Sequence, residues 1–251
     1  MRKIFLIVLA FLWAMPIAAF ASDITVAAAA NVQFTLDDLK AEFKKETGIG
    51  VNTILGSSGK LTSQIENGAP FDVFLSADMK YPTKLFKDGF SSDEPKVYGY
   101  GALVLWTMKD LDLTAGIGVL GAPGVLKIAI ANPDVAPYGR EAINALKFYN
   151  IYTQLQKELV LGESISQANQ FIATGAADIG ITAKSVVLAS NMKGRGKWVE
   201  VDPQAYKPIE QGVVVLKYAQ LNHSKEAKAF YDFIFSAPAQ EIFKKYGYKL
   251  P

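Results

Sequence analysis

The chain has 251 residues, 50% hydrophobic and 20% charged, the balance of a globular protein and not of a disordered or low-complexity one. Its formal net charge is +2. Setting aside Arg2 and Lys3, in a leading segment without acidic residues, balances the charges at 24 of each sign, so the basic surplus of a nucleic-acid binder is missing. The absence of cysteine excludes a disulfide framework, thiolate catalysis and thiolate metal sites, and the single histidine, His223, excludes most multi-histidine metal sites.

Residues 1–21 read as a secretory signal. Two cations precede an apolar run from Ile4 to Met15, Pro16 breaks it, and Ala19-Phe20-Ala21 supplies the small-residue end, with cleavage expected between Ala21 and Ser22. A membrane anchor needs about 20 continuous apolar residues, and this run stops short. With no cysteine at the cleavage site to carry a lipid, the expected mature chain is exported, periplasmic and soluble.

Strand, small-residue turn and helix then alternate. Ile24-Thr25-Val26 leads through Ala27 to Asn31 into Val32, Leu36, Leu39 and Phe43, whose spacing places one apolar stripe on a helix. Val51 to Leu55 leads through Gly56-Ser57-Ser58-Gly59 to Leu61 and Ile65. Shorter strands fit Val73-Phe74-Leu75 and Ala102 to Trp106. Leu126 to Ile130 leads through Asn132 to Gly139 into Ile143, Leu146 and Tyr149. Ser164 caps a helix through Ile165, Ala168, Phe171 and Ile172, and strands follow at Ile179-Gly180-Ile181 and Gly212 to Leu216. Ala227, Phe230, Phe233 and Ile234 form a last long stripe, with Ile242 and Phe243 beyond it. The alternation predicts a parallel α/β sheet, and the length fits one large domain or two lobes of about 100 residues.

Catalytic signals are weak. A serine hydrolase needs a base beside its nucleophile, and His223 is the one histidine available, in a polar stretch that reads as a solvated loop. Ser57-Ser58-Gly59-Lys60 matches S-x-x-K, but K-T-G and S-D-N are absent. As a P-loop the same stretch fails at Ile54, where the first glycine belongs, and at Leu61 after Lys60. Asp178 reads as the end of a turn, and no metal-ligand cluster is present.

Binding signals are stronger. At Ala30-Asn31, Ser57-Ser58-Gly59 and Pro137-Tyr138-Gly139 a strand runs through a turn into a helix, whose start presents unpaired N–H groups and the positive end of a dipole. Any one of these is also explained as a plain N-cap; three in one chain point to a shared anion. The turns hold no carboxylate except Asp134. A protonated oxyanion such as hydrogen phosphate needs an acceptor, so the pattern favours fully deprotonated ions resembling sulfate or molybdate.

At these turns the sequence resembles the periplasmic molybdate-binding proteins of ABC transporters. The resemblance spans the expected mature chain: Ala28-Ala29-Ala30-Asn31, Phe43 to Gly48, Gly56 to Gly59, Gln64 to Pro70, Asp72 to Asp78, Asn132 to Gly139, Ala177 to Ile181 and Ala239 to Tyr248. It implies a two-lobed type II solute-binding fold, each lobe a mixed, mostly parallel sheet flanked by helices. Lobe one is expected over residues 22–101 and 184–251, and lobe two over 102–183. Molybdate or tungstate would be held between the lobes by hydrogen bonds, as ligand and not as cofactor. The implied ligand positions are Asn31 through side chain and backbone, Ser58, the backbone of Tyr138 with its ring hydroxyl as a further candidate, and the backbone of Ile165; Ala30 and Ser57 stand beside them. Relatives often carry a tyrosine where this chain has Ala183, and Tyr138 is expected to replace its hydroxyl from the opposite turn. The implied partner is a membrane permease, with the binding protein a monomer and not an enzyme. The alternative is a receptor for sulfate or another tetrahedral oxyanion.

Overall fold

The computed structural model describes residues 22–91 and 93–251, so the expected signal segment lies outside the described residues. β1 (Ile24–Ala29) passes through a 3-10 turn at Ala30–Val32 into α1 (Gln33–Thr47), and β2 (Val51–Gly56) passes through Ser57 into α2 (Ser58–Glu66). β3 (Val73–Ser76), α3 (Lys80–Lys87) and β4 (Lys96–Gly101) follow. Beyond Ala102 come β5 (Leu103–Thr107), β6 (Ile128–Ala131), α4 (Pro137–Phe148), α5 (Tyr152–Leu155), β7 (Leu159–Gly162), α6 (Ile165–Ala173), β8 (Ile179–Ala183), α7 (Lys184–Val187) and β9 (Lys197–Glu200). β10 (Ile209–Val215), α8 (Lys217–Asn222), α9 (Ser224–Ile234) and α10 (Ala237–Lys245) end the chain.

The strands form two five-stranded sheets, ordered β2-β1-β3-β10-β4 and β7-β6-β8-β5-β9. In each, one strand runs against the rest: β10 pairs antiparallel with β3 and β4, and β5 with β8 and β9. The two lobes therefore share one topology, and each reversed strand is the one by which the chain enters its lobe after a crossing. The first crossing falls at Ala102. The second falls between Glu200 and Ile209, because β9 pairs with β5, so residues 197–200 lie in the second sheet. That corrects the expected end of lobe two at 183. β9 is a short edge strand, Lys-Trp-Val-Glu, with almost no buried face and so no alternation to read.

The topology places the site. β1 and β2 run parallel in register and end together at Ala29 and Gly56, and β6 and β7 likewise end together at Ala131 and Gly162. Each of these four carboxyl ends feeds a turn and then a helix, the edge of an open sheet where ligands bind. The stripe expected on α1 is buried at Leu36, Leu39 and Phe43, and Phe43 packs edge-on against Phe230 of α9 at 5.2 Å between ring centroids. Pro137 occupies the first turn of α4, where its missing N–H costs nothing. Among the described residues no helix is long and apolar enough to cross a membrane.

Two titratable residues singled out from the sequence are structural. His223 is not a solvated loop residue: Nδ1 lies 2.8 Å from Asp72 Oδ1, and the buried Asp72 accepts the Thr25 N–H at 2.7 Å through Oδ2. Asp178 accepts the N–H groups of Leu126 and Lys127, both at 2.8 Å, and pairs with Lys109, tying the start of β8 to the approach of β6. Burial alone would raise the Asp178 carboxyl, but Lys109 and the two backbone donors outweigh it and hold the group below its ordinary range. A carboxylate with a lowered pKa stabilises the fold while ionised and loses that contribution as pH falls through the folded value. Asp178→Asn is therefore expected to cost on the order of 1–2 kcal/mol at pH 7. In urea unfolding the gap from wild type should shrink as pH drops below about 4; a constant gap down to acid pH would contradict the assignment.

Candidate functional site

A small cavity opens between the lobes where the four strand ends converge. Its lining is Ala29, Ala30, Asn31, Gly56, Ser57, Ser58 and Ala77 from the first lobe, and Ala136, Pro137, Tyr138 and Ile165 from the second. The cavity volume is about 10 Å³, room for one small body and well below a cleft for organic ligands. All six sequence-derived site residues, Ala30, Asn31, Ser57, Ser58, Tyr138 and Ile165, line this one space. Asp134 does not: it is exposed, and its N–H bonds to Asn132 Oδ1 at 3.0 Å.

The donors come from helix starts. Asn31 sits in the turn that becomes α1, Ser58 opens α2, Tyr138 lies in the first turn of α4, and Ile165 opens α6. First-turn N–H groups have no carbonyl partner within their own helix and carry the positive end of its dipole. Ser58 Oγ accepts the Ala77 N–H at 3.0 Å, which leaves its own proton to donate. Ser57 Oγ is buried with no hydrogen-bond partner among the described residues, a vacancy that native interiors rarely leave. Ser164 caps α6 by accepting the Gln167 N–H at 3.5 Å, as its position predicted. No lining residue carries a charge.

Asn31 differs from expectation. Its Nδ2 donates to Gln211 Oε1 at 2.8 Å and to Tyr248 Oη at 3.0 Å, so both amide hydrogens are used behind the cavity. Gln211 fixes this orientation, because its own Nε2 donates to the carbonyls of Ile209 and Ala77 and leaves Oε1 needing a donor. The Tyr248 hydroxyl in turn donates to the Asn31 carbonyl at 3.2 Å, and Ser185 Oγ donates there at 2.7 Å. What Asn31 retains for a ligand is its backbone N–H. Sequence reading missed Gln211 and Tyr248; the available signal was a glutamine beside the apolar run Gly212 to Leu216, which when buried must find partners.

Tyr138 is also buried, and its hydroxyl reaches toward Gly101 at the first crossing and interacts with Asn31. Burial, reinforced by neighbouring tyrosines, pushes the Tyr138 phenol well above its usual value, and burial pushes Tyr248 up to about 12. Both stay neutral across ordinary pH, so neither puts negative charge beside the cavity. Ala183 is fully buried at the end of β8 and is not a lining residue. The serine–lysine alternative gains no support: Lys60 does not line the cavity, and its ammonium is turned to Glu163 of the opposite lobe.

From residue 24 to residue 249 the sequence matches the model of the bacterial extracellular solute-binding proteins. The chain belongs to that family. This solute-binding protein is 38% identical to molybdate-binding protein ModA of Azotobacter vinelandii, over 93% of this chain and 92% of that one. It is also 38% identical to molybdate-binding protein ModA of Rhodobacter capsulatus, over 96% and 93%. The solved Azotobacter vinelandii periplasmic molybdate-binding protein superposes with a TM-score of 0.86 at 36% identity, covering 91% of this chain and all of that one. Its two-lobed architecture is thus that of a known binding protein, and the chain is a solute-binding protein, not an enzyme.

A Cβ added at Gly101 would stand 2.0 Å from the Tyr138 hydroxyl. Gly101→Ala should therefore overpack this solute-binding protein by about 1–3 kcal/mol, and Tyr138→Phe in the same background should recover part of the loss in urea unfolding. No loss in the single variant would mean that the ring does not rest on this glycine.

Proposed function

We propose that this protein captures molybdate, and tungstate with it, in the cavity between its lobes and delivers the ion to the membrane permease of an ABC transporter. The observation that carries the reading is the lining itself: helix starts from both lobes, serine hydroxyls with protons to donate, and no charged side chain. Such a site stabilises a compact dianion through dipoles and N–H groups. It offers no carboxylate to accept the proton that phosphate carries near neutral pH. The two molybdate-binding relatives, aligned over more than nine-tenths of the chain, support molybdate as the cargo.

Within this proposal the protein works as an exported monomer in the periplasm, its leader cleaved after Ala21, and molybdate is cargo, with no cofactor required. Asn31, Ser58, Tyr138 and Ile165 bind the ion, with Asn31, Tyr138 and Ile165 acting through the backbone and Ala30 and Ser57 beside them. The two crossings at Ala102 and residues 201–208 serve as the hinge on which the lobes close, and the closed form is what the permease recognises.

Calorimetric titration of residues 22–251 with molybdate, tungstate, sulfate, phosphate and chromate tests the reading. One-to-one binding of molybdate and tungstate, with sulfate and phosphate silent, is expected. Binding of sulfate alone would reassign the protein to the sulfate class, and silence toward all five would remove the function. Ser58→Ala should weaken molybdate binding about 10- to 100-fold, the loss of one hydrogen bond to a charged group. Ile165→Val, which keeps the backbone donor, should leave binding within about threefold.

A further inference from the structure

Two charged residues adjoin the cavity without lining it. Asp78 follows cavity-lining Ala77 in the first lobe, and Arg140 lies two residues after cavity-lining Tyr138 in the second. The Arg140 guanidinium donates to Asp78 Oδ2 across the cleft, with both side chains largely buried. Asp78 is anchored on its own side, accepting the Tyr81 N–H and the Ser76 hydroxyl through Oδ1, each at 3.2 Å. Arg140 also lies over the Tyr81 ring at 5.8 Å. Two further contacts join the same rims: the Gly59 N–H donates to the Val135 carbonyl at 2.9 Å, and the Tyr81 hydroxyl to the Asp134 carbonyl at 3.4 Å.

We infer that Asp78 and Arg140 form a latch that holds the two lobes closed over the bound ion, acting as positioning residues for the site proposed above, on which this inference rests. The pair is formed by one nitrogen only, and the other terminal nitrogen of Arg140 is buried without a partner among the described residues. One guanidinium nitrogen on one carboxylate oxygen is a contact that a small opening of the cleft breaks. Among the described residues the other cross-cleft ion pair, Lys60 with Glu163, is about half exposed on each side and is therefore weak. The latch also neutralises the only cation placed within the first turn of α4, so the ion meets uncharged donors and not a bare guanidinium.

The test separates a latch from a charge effect. If Arg140 acted on the ion as a charge, Asp78→Asn would unmask it and tighten binding, while Arg140→Gln would weaken binding. A latch predicts that both variants weaken molybdate binding, through dissociation about tenfold faster in stopped-flow fluorescence, because truncating one partner of a buried charged pair acts on the off-rate. The double variant should be no worse than the poorer single, because the two residues act through one contact. Arg140→Lys, which restores a single charged donor, should recover most of the loss. Small-angle scattering of the ligand-free variants should show a larger radius of gyration than wild type. Scattering needs no ligand, so it reads the latch even if the wild type binds no oxyanion and the proposed function fails. Unchanged scattering, opposite shifts in the two single variants, or additive losses in the double variant would overturn the inference.

Discussion

An α-helix leaves the N–H groups of its first turn without partners, and in this protein four helix starts are delivered to one place. Parallel pairing forces the arrangement: β1 and β2 end in register, as do β6 and β7, and the turns after them have nowhere to go but the gap between the sheets. The resulting cavity is rich in donors and poor in acceptors. Under the proposed function a compact anion satisfies it, and the surrounding structure suits that role.

Much of that support is spent on neutrality. A lysine or arginine in the lining would raise affinity for every anion; dipoles and hydroxyls instead favour an ion whose oxygens all accept. Behind the lining, Asn31, Gln211 and Tyr248 close a buried polar network in which nearly every donor has an assigned acceptor, so the turn after β1 is held in one shape. The buried tyrosines remain protonated and add no charge. Of the two cations that stand just behind lining residues, Arg140 is covered by Asp78 and Lys60 pairs with Glu163. With stiff turns and a neutral wall, the motion left to the molecule is that of the lobes about their two crossings.

Much of this was legible in the sequence. The apolar stripe of α1, the cap at Ser164 and the small-residue turns after β1, β2 and β6 each have a local cause, and the structure places all of them as read. The six residues named for the site meet at one cavity because strand, turn and helix fix where a helix begins. What escaped was non-local or patternless. β4, β7 and β9 are edge strands, two of them interrupted or ended by glycine; β4 and β9 hold no continuous apolar run, and that of β7, Leu159-Val160-Leu161, is only three residues long. Missing β9 displaced the second crossing. The commitment of the Asn31 amide to Gln211 and Tyr248, 180 and 217 residues away in the chain, and the pairing of His223 with Asp72 depend on tertiary packing that no short motif encodes.

The central claim is that an oxyanion sits at the meeting point of four helix starts, held by neutral donors. A crystal structure of residues 22–251 grown with molybdate, with diffraction collected at the molybdenum absorption edge, tests it most directly. The account predicts one anomalous peak in the cavity, its oxygens in hydrogen-bond range of Ser58 Oγ and the backbone nitrogens of Asn31, Tyr138 and Ile165. A peak anywhere else, or an ion contacted by Arg140 or Lys60, would contradict it.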